Sequence, residues 1–216
     1  MQSRACRHSM FVVLLSVAFF AASPVAAHAQ KYWIQGRDST THYGARSQIW
    51  VNSPKPGTNF NKVTVIWGYT TNEANFVEAG HTLDGAYGGS YWAFWATMRN
   101  GVYGGIHPIQ SNLPLGSYQD YALGWNQATN RHLVWMNAGT KTSTIYIPEM
   151  TSQWPGTSCE KDDISTANNY GYFRYLTYKA KTTLWTNWGN AQQYYDNDPY
   201  YYFRRLSPNS LETPHV

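Results

Sequence analysis

Short runs rich in Val, Ile, Thr, Trp and Tyr recur along the chain after residue 29, and clusters of Gly, Pro and Asn separate them. This pattern is typical of β-strands joined by turns. No stretch carries a 3.6-residue apolar period of helical length, so we predict an all-β protein. The predicted strands are residues 43–52, 62–70, 75–83, 90–99, 118–125, 132–137, 144–147, 172–179, 183–188 and 200–204.

About ten antiparallel strands in one chain of this length need two packed sheets. The expected fold is therefore a two-sheet antiparallel β-sandwich of the concanavalin or jelly-roll kind. Residues 90–99 carry apolar side chains on both faces, which indicates a strand that is covered on both sides. Residues 118–137 read as a hairpin with its turn at 128–130.

The amino terminus has the features of a removable signal peptide. Arg4 and Arg7 precede an apolar run over residues 10–22, and small residues at Ala27 and Ala29 fit a signal peptidase site. The apolar run is shorter than the roughly 20 residues that a membrane span needs. We predict a signal over residues 1–29, one domain over 30–206 and a loose tail over 207–216. The mature protein is expected to be extracellular and free of the membrane.

Charge and cysteine content exclude several classes of function. The formal net charge is +4, and removal of Arg4 and Arg7 leaves +2, with basic and acidic residues scattered, so no nucleic-acid partner is expected. Cys6 leaves with the signal, so Cys159 has no partner for an intrachain disulfide. A cysteine of this kind is more typical of core packing than of a Cys–His nucleophile. Because phosphate-loop, zinc and complete calcium-loop motifs are absent, we expect no cofactor and no metal.

One carboxylate stands out by its position. Glu78 lies inside an apolar strand, and the alternation of side chains puts it on the same face as Phe76. A charge in such a strand is solvated in a groove or paired with another charge. An outer-face glutamate in water is the plainer alternative.

Eight short segments match the segments of one known protein family in the same order. They are His42 to Arg46, Val63 to Trp67, Phe76 to Gly80, Gly85 to Gly88, Tyr91 to Trp95, Val134 to Asn137, Ile145 to Pro148 and Tyr172 to Arg174. Together they resemble the neprosin domain, a family of secreted glutamic peptidases, and Phe76-Val77-Glu78-Ala79-Gly80 resembles the family's Ile-Glu-Ala-Gly-Trp. The likeness runs over most of the chain, but it is divergent: His81 and Cys159 replace a Trp and a Gly of the family. The family's paired cysteines are missing, and the chain as given has no room for its pro-region.

The resemblance implies a β-sandwich that hydrolyses peptide bonds with two glutamates. Carried over by residue, the first falls on Glu78, and the second is best matched by Glu160, with Glu149 a poorer match. Two facing carboxyls share a proton, so one acts as acid and the other as base, and an acidic optimum is expected. Gln48, Trp50 and Trp67 are the residues that we expect to line the substrate groove.

Two other functions stay open at this point. Tyrosine and tryptophan on a sandwich sheet can stack on sugars, which would make the protein a carbohydrate-binding module with a polysaccharide partner instead of a peptide or protein substrate. The obvious aromatic cluster for this is Tyr194, Tyr195, Tyr200, Tyr201 and Tyr202. A glycoside hydrolase would use the same two glutamates, and a catalytically inactive domain would use neither. Convergence of Glu78 and Glu160 is the observation that separates a hydrolase from a binding module.

Overall fold

The computed structural model describes residues 32–38, 42–53, 60–69, 74–84, 89–140, 147, 150, 154–161, 171–181, 184–188, 192–196, 204–207 and 210–212. Over these residues the chain forms fifteen strands and no helix, and all pairings are antiparallel. The strands make two sheets that pack face to face. The predicted two-sheet antiparallel β-sandwich is confirmed.

The first sheet has seven strands. They are β1 (Tyr32–Asp38), β3 (Phe60–Tyr69), β4 (Phe76–Asp84), β5 (Tyr91–Arg99), β6 (Val102–Gln110), β10 (Trp154–Lys161) and β13 (Gln192–Asp196). Their order across the sheet is β13-β1-β10-β3-β4-β5-β6.

The second sheet has eight strands. Its main path is β14-β15-β11-β2-β7-β8-β9, and β12 pairs with β11. The strands are β2 (Gly44–Trp50), β7 (Tyr118–Asn126), β8 (Arg131–Met136), β9 (Gly139–Thr140), β11 (Tyr172–Lys181), β12 (Leu184–Asn187), β14 (Arg204–Ser207) and β15 (Ser210–Glu212).

The main core lies between the two sheets, and side-chain alternation fills it. In β3 the odd-numbered residues Val63, Val65 and Trp67 point inward, and they meet Ile49 and Leu123 of the second sheet. Trp67 is fully buried and donates from Nε1 to the backbone carbonyl of His42 at 3.0 Å. Cys159 is buried within this core and forms no disulfide within the described part of the chain, so packing holds the core there.

The β5 strand is covered on both faces, as its sequence predicts. Tyr91 and Ala93 belong to the core between the sheets. Trp92, Phe94 and Ala96 point to the opposite face and form a second apolar cluster with Ile106. The outer face of the first sheet is therefore apolar beside β5.

The strands β6 and β10 were not predicted because they contain residues typical of turns. β6 contains two glycines and Pro108. The sheet tolerates these residues because β6 is its edge strand. β10 begins Trp154-Pro155-Gly156 and reads as a loop, but it lies inside the sheet between β1 and β3. A register shift between Trp154 and Pro155 accommodates the proline, which has no N–H to donate.

Other predictions of the sequence have mixed outcomes. The hairpin over 118–137 is confirmed as β7 and β8 with a turn at 127–130. The prediction of a loose tail from residue 207 is wrong in part, because Ser210–Glu212 forms β15 and pairs with β11. The sheet supplies backbone partners that the sequence of the tail does not reveal. The signal peptide and the predicted strand at 144–146 lie outside the described residues.

No helix among the described residues is long and apolar enough to cross a membrane.

Gly80 in β4 lies close against the backbone of β3. A Cβ at this position would lie 2.0 Å from the Val63 carbonyl oxygen and 2.7 Å from Thr64 Cα. Because both are backbone atoms, we expect Gly80→Ala to lower the free energy of unfolding by about 1–3 kcal/mol. A Cβ on Gly139 would meet only the Met136 carbonyl oxygen at 3.8 Å, so Gly139→Ala should change it by less than about 0.5 kcal/mol. Urea unfolding of both variants measures this, and equal effects would contradict it.

Candidate active site

The outer face of the first sheet carries a row of polar side chains over three neighbouring strands. In β3 the even-numbered residues point outward because the odd-numbered ones fill the core. Lys62 is the register partner of Glu160 in β10, and Thr64 is the partner of Ser158. In β4, Glu78 lies on this same face, opposite Ile66. We call Lys62, Glu78 and Glu160 the ion cluster.

The Lys62 ammonium joins the two glutamates. Its Nζ lies 3.3 Å from both carboxylate oxygens of Glu78 and 2.8 Å from Glu160 Oε1. Two atoms in contact with one nitrogen cannot be farther apart than the sum of their distances to it, so the two carboxylates lie within about 6 Å. The structure thus brings Glu78 and Glu160 together, although β3 separates their strands.

Gly80 gives Lys62 access to Glu78. Lys62 and Glu78 are not register partners, because Lys62 lies opposite Thr82 and Glu78 lies opposite Ile66. That is an offset of four residues, or roughly 13 Å along the strand. The long lysine side chain covers this offset on the face where Gly80 has no side chain.

Burial of the ion cluster controls its protonation. Only 2% of the Glu78 side chain, 11% of Lys62 and 18% of Glu160 is exposed. Burial raises the pKa of Glu78, and the negative charge of Glu160 raises it further, while Lys62 opposes both. Burial lowers the pKa of Lys62, but the attraction of Glu78 and Glu160 outweighs burial and holds that pKa above its ordinary value. The site therefore contains a carboxyl that holds its proton to a higher pH than an ordinary glutamate does, beside the positive charge of Lys62.

Two hydroxyl groups lie beside the ion cluster. Thr64 Oγ1 donates to Glu78 Oε2 at 3.4 Å. Ser158 Oγ is buried and has no hydrogen-bond partner among the described residues. A buried hydroxyl without a partner can bind a water molecule or a substrate oxygen.

Tyr103 approaches the ion cluster from the edge strand β6. Its side chain is partly exposed, and its pKa is raised to about 12, by burial first and then by the negative charge of Glu78. An apolar depression of about 320 Å³ lies on the same outer face, between β5 and β6. Its lining residues are Ser90, Trp92, Ile106, Pro108 and Ser111.

The other predicted site residues lie elsewhere. Trp67 is in the core between the sheets. Gln48 and Trp50 are on the outer face of the second sheet, where Gln48 accepts from Arg174 Nε at 2.8 Å and Trp50 packs on Tyr118. None of the three shares the face of the ion cluster. Gln48 and Trp50 belong to the second sheet, and the side chain of Trp67 points to the inner face of the first sheet. Glu149 lies outside the described residues.

The sequence contains a signal that Lys62 points away from the core. In Lys62-Val63-Thr64-Val65 the polar residues alternate with apolar ones, which predicts a polar outer face directly before the strand of Glu78. The sequence predicted that Glu78 is either solvated in a groove or paired with a charge, and its contact with Lys62 fits pairing. The plainer alternative of an outer-face glutamate in water is wrong, because Glu78 is buried. Ser158 had no comparable signal, because β10 reads as a loop.

Comparison with known proteins separates sequence from fold. No family model matches the chain, and no curated protein matches it in sequence. Among solved structures, scytalido-glutamic peptidase with a peptide-based transition-state analogue has a TM-score of 0.58 at 8% identity, over 87% of this chain and 99% of that chain. SCP-B, a member of the eqolisin family of peptidases in a complex with the tripeptide Ala-Ile-His, has a TM-score of 0.54 at 10% identity, over 88% of this chain and 99% of that chain.

The chain shares the β-sandwich fold of these two peptidases. CG-16, a homodimeric agglutinin from chicken liver, matches 62% of this chain and 93% of its own at 10% identity, with a TM-score of 0.38. A score this low carries no argument about function. At the identities of all three matches, the likeness extends to the fold alone.

Loss of the lysine should make stability depend more strongly on pH. In Lys62→Met the lowering effect of the lysine on the pKa of Glu78 disappears, so that pKa rises further above its value in the unfolded state. Stability is then lost as pH rises above the ordinary glutamate value of about 4.3. We expect a loss of roughly 3 kcal/mol at pH 7 and less at pH 4, measured by urea unfolding. The double variant Lys62→Met/Glu78→Gln should recover part of the loss at pH 7; equal losses at both pH values would contradict this account.

His81 should limit stability in acid. It lies on the core side of β4, against Tyr91 and Tyr121, and burial lowers its pKa to about 3. The unfolded state takes up a proton below about pH 6.5 and the folded state does not. His81 therefore reduces stability by up to about 1.4 kcal/mol per pH unit between about pH 6.5 and 3. Unfolding of His81→Phe at pH 4, 5 and 6 should show a smaller pH slope than the wild type, and Tyr121→Phe, which keeps the histidine, should not.

Proposed function

We propose that the protein is a secreted endopeptidase of the glutamic type, which hydrolyses peptide bonds in acid with Glu78 and Glu160. The convergence of the two carboxylates on one ammonium group carries this proposal. The fold that the chain shares with scytalido-glutamic peptidase and SCP-B supports it. The substrate is then a peptide or protein, and the chain is a divergent relative of the neprosin domain that its segments resemble.

The two glutamates have different roles because their surroundings differ. Glu78 is the more buried and its pKa is raised, so it is the general acid. Glu160 is the more exposed and makes the shorter contact with Lys62, so it is the general base. This assignment gives the cluster one proton on Glu78, one negative charge on Glu160 and one positive charge on Lys62.

The reaction follows from these protonation states. Glu160 takes a proton from a water molecule as the water oxygen attacks the scissile carbonyl carbon. Lys62 stabilises the negative charge that develops on the carbonyl oxygen, and the free hydroxyl of Ser158 donates a hydrogen bond to the same region. Glu78 then donates its proton to the leaving nitrogen as the carbon–nitrogen bond breaks. Transfer of the proton on Glu160 to Glu78, through solvent, restores the starting state.

The contact of Lys62 with both glutamates favours a second candidate function. Lys62 neutralises the glutamates and lies between them, where an attacking water has to bind. In a catalytically inactive domain this cluster would be a structural ion network. Activity measurements on the purified protein separate the two.

Digestion of a denatured protein substrate tests the proposal. We expect cleavage at pH 3 and 5 that declines toward pH 7, because Glu78 loses its proton as pH rises through its raised pKa. Glu78→Gln and Glu160→Gln should each reduce the rate by about a hundredfold or more. Glu149→Gln, at the poorer sequence match, is the matched control and should keep the wild-type rate.

Three results would count against this function. An activity that is flat from pH 3 to 8 removes the shared-proton mechanism. Full activity in Glu160→Gln with loss in Glu149→Gln moves the second role to Glu149. A folded wild-type protein without activity at any pH favours the inactive domain.

A further inference from the structure

We propose that the outer face of the second sheet binds an acidic oligosaccharide, at a site separate from the ion cluster. Two adjoining depressions lie on this face, with volumes of about 230 and 480 Å³. They share Trp135 and Lys179 as a common wall. We call this continuous feature the tryptophan groove. The larger volume falls within the range of small-molecule sites, about 300–1,000 Å³.

Two indole rings form the walls of the groove. Trp185 lines the smaller depression, and Trp135 lines both. Both are only partly buried, so their ring surfaces are available to a ligand. They lie on β12 and β8, two strands of the same antiparallel sheet. Trp125 borders the larger depression, but it packs against the core and stacks on Tyr43.

A pair of glycines makes room for these side chains. Gly44 and Gly124 are register partners in β2 and β7. A Cβ on Gly124 would lie 3.2 Å from the Trp135 ring and 3.7 Å from Lys179 Nζ. The indole and the ammonium group therefore lie over bare backbone, next to each other.

The charges of the groove favour a negative ligand. Arg46 and Asp120 form a two-bond ion pair in the smaller depression and largely cancel each other. Lys179 makes no ion pair within the described part of the chain, and its Nζ lies 6.0 Å from the centre of the Trp185 ring. Burial lowers its pKa, as expected of a cation without a counter-ion. A ligand carboxylate would supply that counter-ion.

An acidic sugar chain combines the required chemistry. The C–H face of a pyranose ring packs on an indole, its hydroxyls bond to polar groups at the rim, and a uronic carboxylate pairs with Lys179. Two adjoining depressions that share Lys179 suit successive sugar rings better than one compact ligand. An acidic peptide would also supply the charge, but it offers no regular apolar ring face to the tryptophans.

The tryptophan groove is independent of the proposed active site. It lies on the far side of the second sheet, so two packed sheets, about 10 Å apart, separate it from Glu78. Ligand binding here does not require hydrolysis at the ion cluster. The two proposals can therefore fail separately.

Tryptophan fluorescence during titration with hexagalacturonate tests the site directly. We expect saturable quenching by wild-type protein, and a dissociation constant at least tenfold higher for the fully methyl-esterified hexamer, which has the same rings without the charges. Lys179→Gln and Trp185→Ala should each raise the dissociation constant at least tenfold. Glu78→Gln should bind as the wild type does, whether or not the protein is a peptidase. Thermal unfolding of each variant confirms that it is folded.

Each other result overturns the proposal. No saturation at millimolar hexagalacturonate removes the site. Equal affinity for the esterified hexamer removes the role of charge, and wild-type affinity in folded Lys179→Gln removes the role of that lysine. Equal or tighter binding of a hexaglutamate peptide assigns the groove to acidic peptides.

Discussion

The alternation of side chains along β3 is the constraint on which both the core and the candidate active site depend. The odd-numbered residues of β3 fill the space between the sheets; these are Val63, Val65 and Trp67. Because side chains alternate along a strand, Lys62, Thr64 and Ile66 point to the outer face. A register shift of one residue would bury the lysine in the core and expose the valines. Core packing therefore positions the lysine, since the hydrophobic side of the strand decides where the charged side points.

The ion cluster is stable only as a set. A buried carboxylate or ammonium group alone carries a large desolvation cost, and mutual attraction offsets it when the groups are in contact. With one cation and two carboxyls, the cluster is neutral when one carboxyl holds a proton. The raised pKa of Glu78 favours the proton on this carboxyl. In the proposed function, Glu78 and Glu160 are then the acid and the base that water-activated hydrolysis requires.

The two faces of the sandwich carry different chemistry. The first sheet presents a compact, buried cluster of ionisable groups, whereas the second presents partly exposed indoles beside Lys179. Between them the core also contains a titratable group, His81, which favours the neutral form. An enzyme that works in acid would have to tolerate the stability that His81 removes there. Packing against Tyr91 and Tyr121, and the rest of the core, has to supply that margin.

Much of the fold could be predicted from the sequence because the period of a strand is local. Residues 62–70 and 75–83 predicted β3 and β4 closely, and β7 and β8 followed from their pattern and their turn. β10 was missed because Trp154-Pro155-Gly156 has the local signature of a loop, and only its neighbours on both sides make it a strand. The need of Glu78 for a partner was also a local inference, since its neighbours in the strand are apolar.

What the sequence determined by itself was the all-β class, the position of the main strands and the unusual placement of Glu78 within an apolar strand. Tertiary structure alone decided that β10 lies beside β3, that Lys62 therefore touches both glutamates, and that Gln48, Trp50 and Trp67 point away from them. The physical reason is that strand period depends on neighbouring residues, whereas strand order depends on pairing between segments far apart in the chain. Contacts between such segments leave no periodic trace in the sequence.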